Sequence, residues 1–145
     1  MKQTIWFDMD GTIANLYGVE NWLPMLIDSN PAPYKLAAPL VNMNKLARTL
    51  NKLQRAGYKL GIISWLSKTS TPEYDEAVTA AKLWWLRKHL GSVKWDVVNI
   101  VAYGRNKWDV CGEGILFDDE APNREAWGGN AYHPDEMMKI LLSLA

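Results

Sequence analysis

The sequence predicts an α/β chain built on a doubly wound parallel sheet with a short flap. Three observations predict it. Four short apolar runs, Thr4 to Phe7, Lys59 to Ile63, Val97 to Val101 and Ile115 to Phe117, are continuous rather than alternating, as in strands buried on both faces of a parallel sheet. Segments of helical period lie between them, and strands alternating with helices read as right-handed βαβ units. The length of 145 residues, 48% of them apolar, suits one domain over 1–145 whose core needs no metal or disulfide staple.

The helices follow in order. Met43, Leu46, Ala47, Leu50 and Leu53 recur at spacings of three and four between Pro39 and Gly57. Tyr74, Ala77, Val78, Ala81, Trp84 and Trp85 do the same, with Thr71-Pro72-Glu73 as a start signal and Gly91 as a stop. A last helix after Pro134 carries Met137, Ile140, Leu141 and Leu144 on one face. The segment Asn15 to Ala38 breaks this alternation, being rich in Pro, Asn and aromatic residues such as Tyr17, Trp22 and Tyr34. A loop of that length inside a compact domain is usually a lid or binding loop. Residues 15–38 are therefore read as a flap, with a packed surface meander as the alternative.

Composition excludes several classes. Sixteen basic residues balance sixteen acidic ones, which argues against a dedicated duplex-DNA binder, whose affinity rests on neutralising phosphates. A phosphorylated substrate held by one or two local cations stays open. No apolar run approaches the roughly 18 residues of a membrane span, so no membrane partner is expected. Asp8 and Asp10 interrupt the N-terminal region before a secretory leader could form. Cys111 is the only cysteine, which suits a reducing cytoplasmic location.

Ligands of an open parallel sheet bind beyond the carboxyl ends of its strands. There the sequence places Asp8-Met9-Asp10-Gly11-Thr12 after the first strand and Ser64 after the second. The loop Tyr103-Gly104-Arg105-Asn106-Lys107 follows the third, and Asp118-Asp119 the fourth. Each element alone has an ordinary reading as turn chemistry, a cap or a solvated lysine. Four successive strand ends delivering acids, a hydroxyl and a lysine to one edge do not. Clustered carboxylates repel and call for a cation. Oxygen ligands beside a lysine suggest Mg²⁺, which keeps waters that a phosphate can replace.

These four elements, in this order, resemble the haloacid dehalogenase superfamily of phosphotransferases. Ile5-Trp6-Phe7-Asp8-Met9-Asp10-Gly11-Thr12 matches its first motif, Gly61-Ile62-Ile63-Ser64 its second, Lys107 its third, and Ile115-Leu116-Phe117-Asp118-Asp119 its fourth. Arg105 is the alternative to Lys107. The resemblance implies a haloacid dehalogenase-like core with a short flap in place of a full cap domain. It implies Asp8 as nucleophile and Asp10 as the acid and base serving the leaving oxygen and the attacking water. Ser64 and Lys107 would hold the phosphoryl oxygens, together with backbone N–H groups near Gly11 and Thr12. The metal would sit against Asp8, the Asp10 carbonyl and Asp119, with Asp118 orienting a water or Lys107. Dehalogenases of this type lack the second aspartate, since a halide needs no proton; Asp10 points instead to phosphate chemistry.

The expected activity is thus a Mg²⁺-dependent phosphomonoester hydrolase working through an aspartyl-phosphate. Asp118-Asp119-Glu120 with Asn123, Trp127 and Gly128-Gly129 is similar to the 5′(3′)-deoxyribonucleotidase branch, although that branch carries a larger helical cap. A nucleotide is therefore one candidate among phosphorylated small molecules, and Trp22, Tyr34, Trp65 and Trp127 are candidates for stacking on a base. A polynucleotide end phosphatase and a non-hydrolytic Mg²⁺-binding regulatory module are the competing readings. Receiver-type modules place the acidic pair first rather than last, which counts against the second of these.

Overall fold

The computed structural model describes residues 2–145. In it, β1 (Thr4–Phe7) leads into a tight coil and the two-residue β2 (Ala14–Asn15). A short 3₁₀ turn, α1 (Trp22–Ile27), α2 (Ala32–Leu36) and β3 (Ala38–Pro39) come next. Then follow α3 (Met43–Arg55), β4 (Lys59–Trp65), α4 (Pro72–His89), β5 (Val97–Val101) and α5 (Lys107–Cys111). The chain ends with β6 (Ile115–Phe117), α6 (Ala121–Ala126), β7 (Asn130–Tyr132) and α7 (Met137–Leu144). The main sheet has the order β5-β4-β1-β6-β7, with every neighbouring pair parallel. The chain builds outward from β1 to β4 and β5, then returns to the other side of β1 for β6 and β7. The order reverses between β1 and β6, where a doubly wound sheet opens its ligand crevice.

Alternation along β1 divides the core. Ile5 and Phe7 pack with Leu46 and Leu50 of α3, Trp85 and Leu86 of α4, and Met137 and Leu141 of α7. Trp6 turns to the opposite face and packs with Ile63, Leu116 and Trp127. Strands β1, β4 and β6 are thus covered on both faces, which is why they read as continuous apolar runs; β5, expected to be buried likewise, is an edge strand of intermediate burial with Val97 exposed. Helix α4 begins where the sequence places it: the Thr71 side chain accepts from the Tyr74 N–H (3.1 Å) and Pro72 occupies the first turn. No helix among the described residues is long and apolar enough to cross a membrane.

Residues 15–38 form a small packed unit. Leu16, Leu26 and Tyr34 bury against Tyr74, Val78 and Ala81 of α4, and the Trp85 indole donates to the Ala37 carbonyl at 2.8 Å. The segment has the packing of a meander, while its outward side chains Tyr17, Trp22, Leu23 and Ile27 line the principal cavity.

Several elements are absent from the sequence reading. The fifth sheet strand, β7, has only three residues and two-residue β2 pairs with β3. Helices α5 and α6 run for five and six residues. Segments this short carry no periodicity; they form because neighbouring elements supply their hydrogen bonds and packing.

Candidate active site

Parallel pairing of β1 with β6 sets Phe7 opposite Phe117, so Asp8 and Asp118-Asp119 leave adjacent strand ends together. The Asp8 N–H donates to the Phe117 carbonyl at 3.0 Å. Beyond it the chain coils on the Met9 carbonyl, which accepts from the N–H groups of Thr12, Ile13 and Ala14. Gly11 takes φ +82°, and a Cβ there would collide with the Asp119 carboxylate, so both its backbone angle and its surroundings require glycine. The Thr12 hydroxyl lies 3.0 Å from Asp8 Oδ2 and 3.3 Å from Asp119 Oδ1, and accepts from the Asp119 N–H at 3.2 Å. One carboxylate oxygen from each of Asp8, Asp118 and Asp119 lies within 4.8 Å of the others.

Lys107 closes this cluster. It opens α5, whose first turn is capped by the Asn106 side chain accepting from the Asp109 N–H at 3.1 Å. Its ammonium donates to Asp118 Oδ2 at 2.6 Å and Asp8 Oδ1 at 3.0 Å. Arg105 stays exposed, and its carbonyl accepts from the Trp65 indole at 2.8 Å. Asp118 is fully buried, receiving the Glu120 N–H at 2.9 Å and the Asn123 amide at 3.2 Å.

Asp10 belongs to a second ion pair that sequence reading missed. Lys82, 1% exposed, donates to Asp10 Oδ2 (2.8 Å), Ser64 Oγ (2.6 Å) and the Trp65 carbonyl (2.8 Å). All three ammonium protons therefore have acceptors. The signal was present in the sequence: Lys82 sits four residues after Val78 and three and four before Trp85 and Leu86, on the buried stripe of α4. A lysine on that stripe needs a buried partner.

Ser64, expected to hold a phosphoryl oxygen, is 0% exposed and is not among the residues lining the cavity. Ser67 and Thr69, after the same strand, are. Gly11 and Thr12 line a separate cavity of about 300 Å³, and the Gly11 N–H is bonded to the Ala14 carbonyl at 2.8 Å. Asp8, Asp10 and Lys107 line the principal cavity, of about 600 Å³. Of the proposed stacking residues, Trp22, Tyr34 and Trp65 line it too. Trp127 does not: it is buried beside Trp108, with its indole donating to the Gly114 carbonyl.

Electrostatics separate the two pairs. Burial pulls the Lys107 ammonium down, but Asp8 and Asp118 more than offset this and hold it above the usual lysine range. Burial, reinforced by Asp8, raises the carboxyls of Asp118 and Asp119 above the usual carboxylate range. Burial also raises Asp10, against the opposing pull of Lys82.

The donor set fits a hard divalent cation. Three carboxylates converge within ligand distance, and among the described residues Lys107 is the only cation within ion-pair distance of them. When all three are ionised, two negative charges lack a partner. A divalent ion would supply that charge and accept these oxygen ligands. Asp10 adds nothing to the excess because Lys82 neutralises it.

No protein-family model matches the chain, and no curated protein matches it. Solved structures do. A D,D-heptose 1,7-bisphosphate phosphatase from Burkholderia thailandensis superposes with a TM-score of 0.59 at 12% identity, over 98% of this chain and 97% of that one. The shared fold is an α/β core on a doubly wound parallel sheet. A chain of a Pnkp1/Rnl/Hen1 complex superposes with a TM-score of 0.58 at 16% identity, over 90% of this chain; the match spans 45% of that longer chain. At these identities the likeness is one of fold.

Proposed function

We propose that this chain is a Mg²⁺-dependent phosphomonoester hydrolase that works through an aspartyl-phosphate on Asp8. The observation that carries the reading is that Asp8 and Asp10 line one cavity, each held by its own buried lysine. Asp8 attacks the phosphorus, and the bond to the leaving oxygen breaks as Asp10 gives that oxygen a proton. Asp10 then takes a proton from a water that attacks the acyl phosphate, releasing phosphate and restoring Asp8. Burial supports Asp10 in this role by favouring the protonated carboxyl it needs at the first step. Lys107 stabilises the transferring group's oxygens and orients Asp8. Asp8, Asp118, Asp119 and the Asp10 carbonyl would hold the metal. Bound Mg²⁺ would offset the uncompensated carboxylate charge so that an anionic phosphoryl group can approach.

In this reading residues 1–145 act as one domain with 15–38 as its flap, in a reducing cytoplasm where the free Cys111 persists. Purified protein is expected to release phosphate from a simple phosphomonoester only with a divalent cation, and Asp8→Asn to abolish release while keeping the folded circular-dichroism spectrum. Undiminished release by that variant would remove Asp8 as nucleophile. Asp10 in the cavity favours turnover over a phosphorylated switch, since a switch needs no leaving-group acid. Nucleoside monophosphates are a substrate class to compare with end-phosphorylated oligonucleotides. The polynucleotide-end reading requires the oligonucleotide to be preferred.

A further inference from the structure

The cavity changes character with distance from the phosphoryl end. Beyond Asp8, Asp10 and Lys107, its charged lining residues are Lys68 and Glu120, both exposed and opposite in sign. Most of the remaining wall is aromatic and aliphatic. Trp65 stands beside the reacting groups, with the Lys107 ammonium 5.2 Å from its ring centroid. Its indole is pinned to the Arg105 carbonyl and its ring lies 5.1 Å from that of Tyr103. From the flap, Tyr17 and Trp22 pack edge to face at 5.0 Å, and both line the same cavity. Leu23 and Ile27 line it as well, yet remain 50% and 62% exposed. Large apolar side chains left uncovered around a charged reaction centre are what an apolar ligand would cover.

From this we infer that the flap and the Trp65–Tyr103 pair form a leaving-group pocket selecting phosphomonoesters whose alcohol carries an uncharged planar ring and no second phosphate. The inference rests on the phosphohydrolase reading above and names its substrate class. The leaving oxygen emerges beside Asp10, and the group attached to it meets Trp65 and the flap aromatics, which offer ring faces and apolar area. A polyhydroxylated sugar would bury hydroxyls against Leu16, Leu23, Leu26 and Ile27 with few partners, at a cost in affinity. A second phosphate would find Lys68 as its one lining cation outside the reaction centre. The pocket therefore disfavours bisphosphates and phosphorylated polynucleotide chains.

The test compares 2-phenylethyl phosphate with ethyl phosphate, whose leaving alcohols are similarly acidic, so that a difference reports binding rather than bond-breaking. Burial of the phenyl ring is expected to raise kcat/KM at least about tenfold. A hexose bisphosphate is expected to be poorer than 2-phenylethyl phosphate. Trp22→Ala and the surface-directed Ile27→Asp are each expected to shrink the phenyl preference several-fold. Calorimetric Kd values for the two monoesters on Asp8→Asn, with Mg²⁺, supply a readout independent of turnover, and the same preference is expected there. Equal kcat/KM for the two monoesters in an active enzyme, or a bisphosphate turned over as well, would overturn the pocket and leave the hydrolase standing. Equal Kd values would also overturn the pocket. A retained Kd preference in a wild-type protein that hydrolyses neither ester would instead overturn the hydrolase while leaving the apolar pocket in place.

Discussion

The two buried lysines of the site treat the charge around them in opposite ways. Lys107 touches two carboxylates, and a third lies close by, so its corner of the site keeps a negative excess. Lys82 touches one carboxylate and two neutral oxygens, so its corner is balanced. Under the proposed mechanism, the difference maps onto the two tasks of a phosphoryl-transfer site. The nucleophile's corner must attract a metal and then an anionic phosphoryl group, and an unsatisfied charge does that. The acid's corner must hold one carboxyl in a fixed direction without drawing in ions, and a closed set of three acceptors does that.

The largest effect that would break this comparison belongs to Lys107. Lys107→Met is expected to lower phosphate release by about 10³-fold, in the range seen when a positioned charge-stabilising donor is lost. It should also cost stability, because two buried carboxylates lose their cation; release assays and urea unfolding check the two parts. Equal losses in Lys82→Met and Lys107→Met across all substrates would erase the distinction between the corners.

Lys82→Met should instead act selectively. Without its anchor Asp10 serves the leaving oxygen poorly, so ethyl phosphate hydrolysis is expected to fall about 10²-fold. p-Nitrophenyl phosphate, whose leaving group scarcely needs a proton, should fall far less. The ratio of the two rates is the measurement, and a uniform fall would indicate a purely structural lysine.

Acidity sharpens the contrast further. The raised carboxyls of Asp118 and Asp119 keep protons in the folded protein at pH values where the unfolded chain has released them. Native protein then binds more protons than unfolded protein, so metal-free stability falls as pH rises from the ordinary carboxylate range through the raised values. Mg²⁺ removes the cause of that fall. Thermal melts should show a stabilisation by Mg²⁺ of several degrees at pH 8 and a smaller one at pH 6. A shift independent of pH would place the ion elsewhere.

The smallest effect is expected at Ser64. With its oxygen accepting from Lys82 in a fully buried position, Ser64→Ala should cost about 1 kcal/mol of stability and change KM by less than about twofold. A tenfold rise in KM would instead put this hydroxyl in contact with the phosphoryl group.

The corner held by Lys107 was legible in the sequence because its parts lie at strand ends. Apolar runs place β1 and β6, and the residues following them must lie at the sheet's carboxyl edge whatever the surrounding loops do. The corner held by Lys82 was not legible, since helical periodicity marks a stripe of α4 without saying which atoms the stripe meets. The stripe says that Lys82 needs a buried partner, but which partner emerges only once the 15–38 segment and β4 are seen to bury it. The same limit applies to β7 and α6, which owe their form to pairing and packing supplied by distant residues. Trp127 and Trp65 show it for aromatics: one follows α6 and the other ends β4, and nothing in the sequence says that the first packs against the sheet while the second lines the cavity.

Helix α4 presents Tyr74, Val78 and Ala81 to the flap and, in the next residue, Lys82 to Asp10. The 15–38 segment and the proposed proton donor therefore share one rod. Grafting a different lid onto this scaffold, or trimming the existing one, cannot be treated as a change of entrance alone. The helical face that receives the new segment must be preserved, or its replacement will slacken the carboxyl proposed to hand over the proton.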